Sequence, residues 1–117
     1  MIVNRFRAEG VASSSGNALT IQGNWIGLNA TGTAAGANQT DGIVVNNVTG
    51  TTIGILASPL GNTISGNTGA GIRLTGASTA TSTINANVIG LNAVGDTAVP
   101  NSVGIIVDAV ATTAIAL

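Results

Sequence analysis

The feature that most constrains the fold is a stretch of eleven residues that returns, with changes, 63 positions later. Residues 20–30 read TIQGNWIGLNA, and residues 83–93 read TINANVIGLNA. The likeness extends beyond this stretch, because residues 20–53 recur as 83–115, at offset 63 and then at offset 62 after one deletion. Internal repetition of this kind is typical of chains built from stacked, similar units.

Apolar residues recur at a shorter interval within this long repeat. Successive members of one set lie 20 to 22 positions apart, and those of a second set lie 19 to 25 positions apart. Both sets indicate a period near 21, so that the long repeat corresponds to three turns. The first set is Ile21, Ile43, Ile64, Ile84 and Ile105, and the second is Leu28, Ile53, Ile72, Leu91 and Ile115.

The short period favours strands over helices. Helical repeats need about 33 to 47 residues, and leucine-rich repeats need more Leu than this chain contains. Segments such as 42–45 and 71–74 alternate in polarity and are bounded by Gly or Asn, which is typical of short strands. The sequence therefore predicts an all-β solenoid over residues 17–117, with about five turns at a period of about 21.

Residues 1–16 differ in composition from the repeats. They contain two of the three Arg residues, the only Glu and the only Phe. Two interpretations remain open: a leader that is frayed or foreign to the fold, or an N-terminal cap that covers the first exposed strand. The segment lacks the uninterrupted apolar run of a signal peptide, so no export signal is expected in the chain as written.

Asparagine residues follow the apolar positions at similar intervals. Asn tolerates left-handed backbone angles at tight turns, and stacked side-chain amides can hydrogen-bond to each other along a column. The spacing predicts that these residues lie above one another at a corner of the solenoid, in a structural ladder. Its members are Asn24, Asn47, Asn67 and Asn87.

The composition excludes several functional classes. Charged residues make up 6% of the chain and the net charge is −1, so there is no basic surface to bind the phosphates of a nucleic acid. No run of about 18 apolar residues is present, and a membrane-spanning helix is not expected. The absence of Cys excludes disulfides and thiolate metal sites. No cofactor is predicted.

The repeated motifs resemble a known type of repeat. Thr-Ile-x-Gly-Asn, Ile-Gly-Leu-Asn-Ala-x-Gly and Gly-Ile-x-Val/Leu, at 20–24, 26–32, 42–45, 62–67, 71–74, 83–95 and 104–107, look like right-handed parallel β-helix repeats. Such repeats occur in large bacterial secreted and surface proteins, among them adhesins and enzymes with a pectate-lyase-like fold. The resemblance implies a parent protein that is extracellular or on the cell surface, of which this chain is a fragment.

An enzymatic role is not expected from the acidic residues, although the resemblance includes polysaccharide-degrading enzymes. Such enzymes need several converging carboxylates. The carboxylates here are Glu9, Asp41, Asp96 and Asp108, no two of which lie one predicted period apart. The three Asp residues are each interpreted as turn residues that bond to their own backbone. Arg73 is interpreted as a solvated, outward-facing residue, and no metal site is predicted.

Trp25 is the candidate contact residue. It replaces the smaller Val88 of the second repeat, and it is interpreted either as packed against the N-terminal segment or a neighbouring loop, or as a ligand or subunit contact. Uncapped solenoid ends are predicted to self-associate, most simply as a homodimer. The predicted function is a non-catalytic β-helix segment with a structural role or one in carbohydrate or cell-surface binding; the alternative is an inactive fragment of a polysaccharide lyase or hydrolase.

Overall fold

The chain folds into short strands joined by turns. The computed structural model describes residues 1–55, 61–77, 79–108 and 112–116; Leu117, the predicted last residue of the repeats, lies outside them. This part of the chain contains no helix, and hence none long and apolar enough to cross a membrane. The strands are β1 (Ile2–Val3), β2 (Val11–Ser13), β3 (Gly16–Asn17), β4 (Thr20–Ile21), β5 (Trp25–Ile26), β6 (Ile43–Asn46), β7 (Val48–Thr49), β8 (Thr52–Ile53), β9 (Thr63–Ile64), β10 (Ala70–Thr75), β11 (Ser82–Asn85), β12 (Val88–Ile89), β13 (Val103–Asp108) and β14 (Thr113–Ala116).

The named strands pair in parallel and form a solenoid, which confirms the predicted fold class. Three sheets of four strands make the faces. The first face has the order β1-β5-β9-β12, the second face β2-β6-β10-β13, and the third face β4-β8-β11-β14, while β3 and β7 form a small extra pair. Consecutive strands of the chain lie on successive faces, so the backbone winds around a common axis.

The number and length of the turns differ from the prediction. Each face holds four strands, so four coils stack where five were predicted. On the third face Thr20 pairs with Thr52, Thr52 with Thr83, and Thr83 with Ala114, so the chain advances by 31 or 32 positions per coil. The long repeat, at offset 63, therefore contains two coils and not three.

The apparent period of 21 arises because equivalent apolar residues recur on every face. Ile21 lies on the third face, Ile43 on the second and Ile64 on the first. A step of this length passes two of the three faces, which is two-thirds of a coil. Inward-facing Ile residues are similar on all three faces, so the sequence pattern could not distinguish this step from a complete turn.

Residues 1–16 contribute strands to the solenoid. Val3 pairs with Ile26, Val11 pairs with Ile43, and the predicted boundary at residue 16 falls inside β3. The segment forms most of coil 1 and covers one end of the core, since Val3 and Ile21 are each only 6% exposed.

The core is a narrow column of aliphatic side chains. Ile26, Ile64 and Ile72 have no exposed surface, and neither do Ile53 and Ile84. Their partners in the last coil are less covered, because no further coil packs against them within the described chain: Ile115 is 48% exposed. The two ends of the solenoid therefore differ.

Measured between the paired residues Ile2, Trp25, Thr63 and Val88 of the first face, successive coils span 23, 38 and 25 positions, so short and long coils alternate along the axis. The inward residue of the second face follows that of the first face by eight positions in coil 1 (Val3 to Val11) and by seventeen in coil 2 (Ile26 to Ile43). The interval returns to eight in coil 3 and is sixteen in coil 4. The long repeat is thus one pair of coils, which includes one long and one short member.

Candidate functional site

Two asparagine ladders run along the interior corners of the solenoid. In the first ladder, Asn24 Nδ2 donates to Asn62 Oδ1 at 3.1 Å, and Asn62 Nδ2 donates to Asn87 Oδ1 at 2.9 Å. In the second ladder, Asn38 Nδ2 donates to Asn67 Oδ1 and Asn67 Nδ2 to Asn101 Oδ1, both at 2.9 Å. Each of these bonds joins one coil to the next.

The predicted ladder residues are distributed between these two ladders. Asn24 and Asn87 belong to the first ladder, and Asn67 belongs to the second. Asn47 lies at the end of β6 with φ of 56°, in the left-handed conformation that the prediction assigned to such corners. The sequence did not predict three of the ladder residues, because a period of 21 does not relate them to the predicted members. These are Asn38, Asn62 and Asn101.

Both ladders have the same polarity. In every ladder residue after the first, Oδ1 faces the preceding coil and accepts a bond from the Asn side chain there. A backbone N–H can share the same acceptor, as in the 3.0 Å bond from Asn67 N to Asn101 Oδ1. Nδ2 of these members also donates to a backbone carbonyl on the side of the preceding coil, for example from Asn67 to Ile26 at 3.3 Å. The remaining Nδ2 hydrogen points to the following coil. Amide donors therefore face the last coil along the whole length of the solenoid.

Trp25 lies on the outer surface of the first face. It stands in register between Ile2 and Thr63, and Thr63 in turn pairs with Val88. These four residues form an outward column, because their neighbours Val3, Ile26, Ile64 and Ile89 point into the core. At strand spacing, the column extends about 14 Å along the axis.

A cleft opens beside the Trp25 side chain. It has a volume of about 410 Å³, and its lining carries no formal charge. A smaller hollow of about 250 Å³ lies on the other side, against Met1, Ile2 and Gly23. Trp25 lines both, and it is half-buried. The residues that line the larger cleft are Trp25, Gly61, Asn62, Thr63, Ala86, Val88 and Ala93.

The loops of the two long coils form a wall next to this cleft. Each loop closes on itself, through an antiparallel bridge between Leu28 and Ala35 in one case and between Leu91 and Ala98 in the other. The loops touch across the short coil between them, since Ala93 N donates to Gly32 O at 2.8 Å. The indole ring packs over Gly32: a Cβ at that position would lie 2.8 Å from Trp25 Cζ3. This contact fixes one side of the ring.

Asp41 and Arg73 form an ion pair on the second face, which corrects both sequence interpretations. Arg73 Nε donates to Asp41 Oδ2 at 2.6 Å, and Asp41 Oδ1 accepts the Ala70 N–H of the next coil, also at 2.6 Å. Asp41 therefore bonds to a neighbouring coil and not to its own turn. Arg73 is held by this carboxylate, although its side chain is 37% exposed. Burial alone raises the pKa of Asp41, but the hydrogen bonds from Arg73 and Ala70 and the Arg73 charge together hold it below the ordinary value.

We expect this carboxylate to make the stability of the fold depend on pH. Because the pKa of Asp41 is lower in the folded than in the unfolded chain, its contribution is complete above the unfolded value and is lost as the pH falls through the folded value. Asp41→Asn should lower the free energy of unfolding by about 1–2 kcal/mol at pH 7, which urea unfolding measures. The difference from the native chain should decrease as the pH falls below the unfolded value of about 3.9 and through the lower folded value. Asp108→Asn, on the exposed end of β13, is the control, and an equal effect of both substitutions would contradict the assignment.

The other Asp residues do not bond to this pair, although the charge of Asp108 is near enough to Arg73 to help raise its pKa. Asp96 accepts a 2.7 Å bond from Asn92 Nδ2 and a 2.9 Å bond from the Thr97 hydroxyl within the loop of coil 4, and these two bonds lower its pKa. Asp108 is in register with Thr75 on the second face. No three His, Cys, Asp or Glu side chains of the described residues are grouped so that they could hold a metal ion.

Comparison with known proteins adds no relative. A scan against protein-family models and searches of curated proteins and of solved structures found no match. The Trp25 cleft is thus the feature of the described chain that combines an aromatic ring, a concave surface and uncharged hydrogen-bonding groups.

Proposed function

We propose that the chain is a non-catalytic β-solenoid segment that binds neutral carbohydrate beside Trp25. The observation that carries the proposal is the position of the indole ring between two hollows whose described lining contains no charged side chain. Aromatic rings offer sugars a flat apolar surface, and nearby hydroxyl and amide groups orient a ligand by hydrogen bonding. A net charge of −1 gives no attraction for polyanions.

The shape of the surface suits an extended ligand. The outward column of Ile2, Trp25, Thr63 and Val88 runs across the strands for about 14 Å, so a chain laid along it would span the four coils and contact chiefly Ile2, Trp25 and Val88, since Thr63 is only 7% exposed. The loops of coils 2 and 4 border the column on one side. A linear polysaccharide has this form, whereas a compact ligand would use only one of the hollows.

The parent of such a segment is proposed to be a secreted or surface protein of the β-helix type. A surface of Gly, Ala, Ser, Thr and Asn with few charges resembles that of the bacterial proteins whose repeats these motifs are similar to. The pectate-lyase-like assignment belongs to the same proposal. The engagement of Asp41 with Arg73 and Ala70, and of Asp96 with its own loop, supports a binding role, because a catalytic carboxyl group must face the scissile bond.

The single tryptophan provides a direct test. Because Trp25 is the only Trp, its fluorescence reports on the cleft without a label. Titration with soluble oligosaccharides of neutral glucans, xylans and chitin should produce a saturable change in emission for at least one of them. Trp25→Val, which copies Val88 of the second repeat, should lower the affinity at least tenfold in calorimetry, since it removes the stacking surface. Trp25→Phe should lose less.

Two controls distinguish this binding from non-specific adsorption. Polygalacturonate, an acidic polymer of similar shape, should not bind. Val94→Ala removes an exposed side chain from the tip of the coil-4 loop, outside the residues that line the cleft, and should leave the affinity unchanged. Unchanged Trp25 emission with every neutral glycan, or equal affinity of the native and Trp25→Val chains, would exclude carbohydrate binding at this surface.

A further inference from the structure

The face of the last coil is open, in contrast to the face of the first. Inward residues of coil 1, Val3 and Ile21, are each 6% exposed. Their equivalents in coil 4 include Ile115, at 48%, while Val107, in register with fully buried Leu74, is at 42%. We name this surface, formed by β12, β13 and β14, the open face. At this face the end of the core, with its aliphatic side chains, is exposed to solvent.

The open face also presents unpaired strand edges. In each four-stranded sheet the strand of coil 4 is terminal, so it has a described neighbour on one side only. β13 is six residues long and β14 is four, which makes these edges longer than those of coil 1. Exposed edges of this length pair readily with another extended segment.

The direction of the ladder amides determines which hydrogen-bonding groups such a segment must carry. Asn87 Nδ2 donates to Ile53 O and Asn101 Nδ2 donates to Ile64 O, both at 2.9 Å and both toward the preceding coil. At inner positions such as Asn67, the same nitrogen makes a second bond, to an Asn Oδ1 of the next coil. The open face therefore offers two amide donors at fixed positions. A partner that fits it brings two side-chain carbonyl acceptors.

The alternation of coil lengths sets the distance between these acceptors. Long loops occur in coils 2 and 4 and touch each other across coil 3, through the bond from Ala93 N to Gly32 O. In coil 3 the two ladder residues, Asn62 and Asn67, are five positions apart. In coil 4 they are fourteen apart, at Asn87 and Asn101. The layer that follows a long coil in this structure is a short one.

We propose that the open face docks an extended polypeptide segment with the pattern of coil 3. Such a segment carries two Asn residues five positions apart, an Ile two positions after the first, and an Ile five positions after the second, as in Asn62, Ile64, Asn67 and Ile72. It adds one strand to each face, covers Ile115 and Val107, and supplies Oδ1 acceptors to Asn87 and Asn101. Recognition depends on strand pairing and on the two amides together.

A second copy of this chain fits the open face less well. In coil 1, Phe6 takes the ladder position, since its N–H donates to Asn38 Oδ1 at 3.2 Å, and Met1 precedes β1 as Asn24 precedes β5. A head-to-tail copy would therefore bring no amide acceptor. A tail-to-tail copy would set the donors of both ladders against each other. The homodimer predicted from the sequence becomes an outcome of the test below.

The test uses the complete chain and a labelled peptide with the sequence of residues 61–86. Fluorescence anisotropy should show saturable, one-to-one binding. A matched peptide in which Asn62 and Asn67 are both replaced by Ala keeps the strands and should bind at least tenfold more weakly. Hydrogen exchange of the complex should show slower exchange in β13 and β14, and unchanged exchange in β1 and β2.

If the free peptide aggregates, the same segment can be tested as a covalent extension of the chain. Residues 62–86 appended after Leu117 should raise the urea midpoint above that of the same extension with Ala at both Asn positions. Four results would overturn the proposal: absence of binding together with an unchanged midpoint, equal effects of the Asn and Ala segments, protection of β1 and β2 in place of β13 and β14, or a two-chain mass with β13 and β14 already protected before peptide is added.

Discussion

Gly27→Ala should lower the free energy of unfolding by about 4 kcal/mol, measured by urea unfolding at 25 °C and pH 7. Two effects add. Gly27 has φ of 89°, where an Ala residue is strained by about 1–3 kcal/mol. In addition, a Cβ at this position would lie 2.3 Å from Ser65 O and 2.5 Å from Asn67 Oδ1, so coils 2 and 3 must separate or the ladder must shift.

The second repeat provides a matched control for this substitution. Gly90 occupies the same place in the Ile-Gly-Leu-Asn-Ala motif and has nearly the same φ, 84°. The nearest atom to an added Cβ is Pro100 Cα, at 4.0 Å, because Gly90 is in the last coil. Gly90→Ala should therefore cost only the same backbone strain, about 1–3 kcal/mol, without the contact between coils. Equal losses for the two variants would show that contact between the coils is not what makes Gly27 necessary.

This pair of glycines also shows which parts of the fold the sequence could predict. The motif, the strand pattern and the absence of helix formers predicted a parallel solenoid correctly, since local propensity and apolar alternation are visible in one repeat. The predicted length of a coil was wrong. Ile21, Ile43 and Ile64 are chemically equivalent, and sequence spacing alone does not reveal that they lie on three different faces.

The error in coil length carried through to the side-chain contacts. A period of 21 does not relate Asn62 to the predicted ladder residues, although Asn62 lies between Asn24 and Asn87 in the first ladder. The actual coils are longer and divide unequally among their loops, so ladder neighbours are 38 and 25 positions apart, as for Asn24, Asn62 and Asn87. No fixed interval predicts them. The ion pair of Asp41 with Arg73 was missed for the same reason, because it joins successive coils.

Asn67→Asp should lower the free energy of unfolding at pH 7 by about 4 kcal/mol. The substitution keeps the volume but replaces the Nδ2 donor with an oxygen. That oxygen would face Asn101 Oδ1 and Ile26 O, the two acceptors that Nδ2 now contacts at 2.9 and 3.3 Å. Asn67 is 2% exposed, so a carboxylate there loses its hydration and two hydrogen bonds together.

The loss should depend on pH in a direction that a change of packing would not produce. Burial beside two acceptors disfavours the carboxylate and raises its pKa in the folded chain, so stability is lost as the pH rises above the unfolded value of about 3.9. The deficit of Asn67→Asp should therefore decrease between pH 7 and pH 4, because the protonated acid can donate one hydrogen bond. Urea midpoints relative to the native chain at pH 7, 5 and 4 measure this.

Asn101→Asp is the control within the same ladder. Asn101 Oδ1 accepts bonds from Asn67 N and Nδ2, which a carboxylate oxygen accepts equally well, and the substitution sets its second oxygen against one acceptor, Ile64 O, in place of two, at a part-buried site. We expect a loss of about 1 kcal/mol. If Asn67→Asp and Asn101→Asp cost the same, or if the deficit of Asn67→Asp is unchanged at pH 4, then the direction of the amides does not determine the stacking of the coils. In that case there is also no reason to require amide acceptors of a partner on the open face, because that requirement rests on the same direction of the ladder amides.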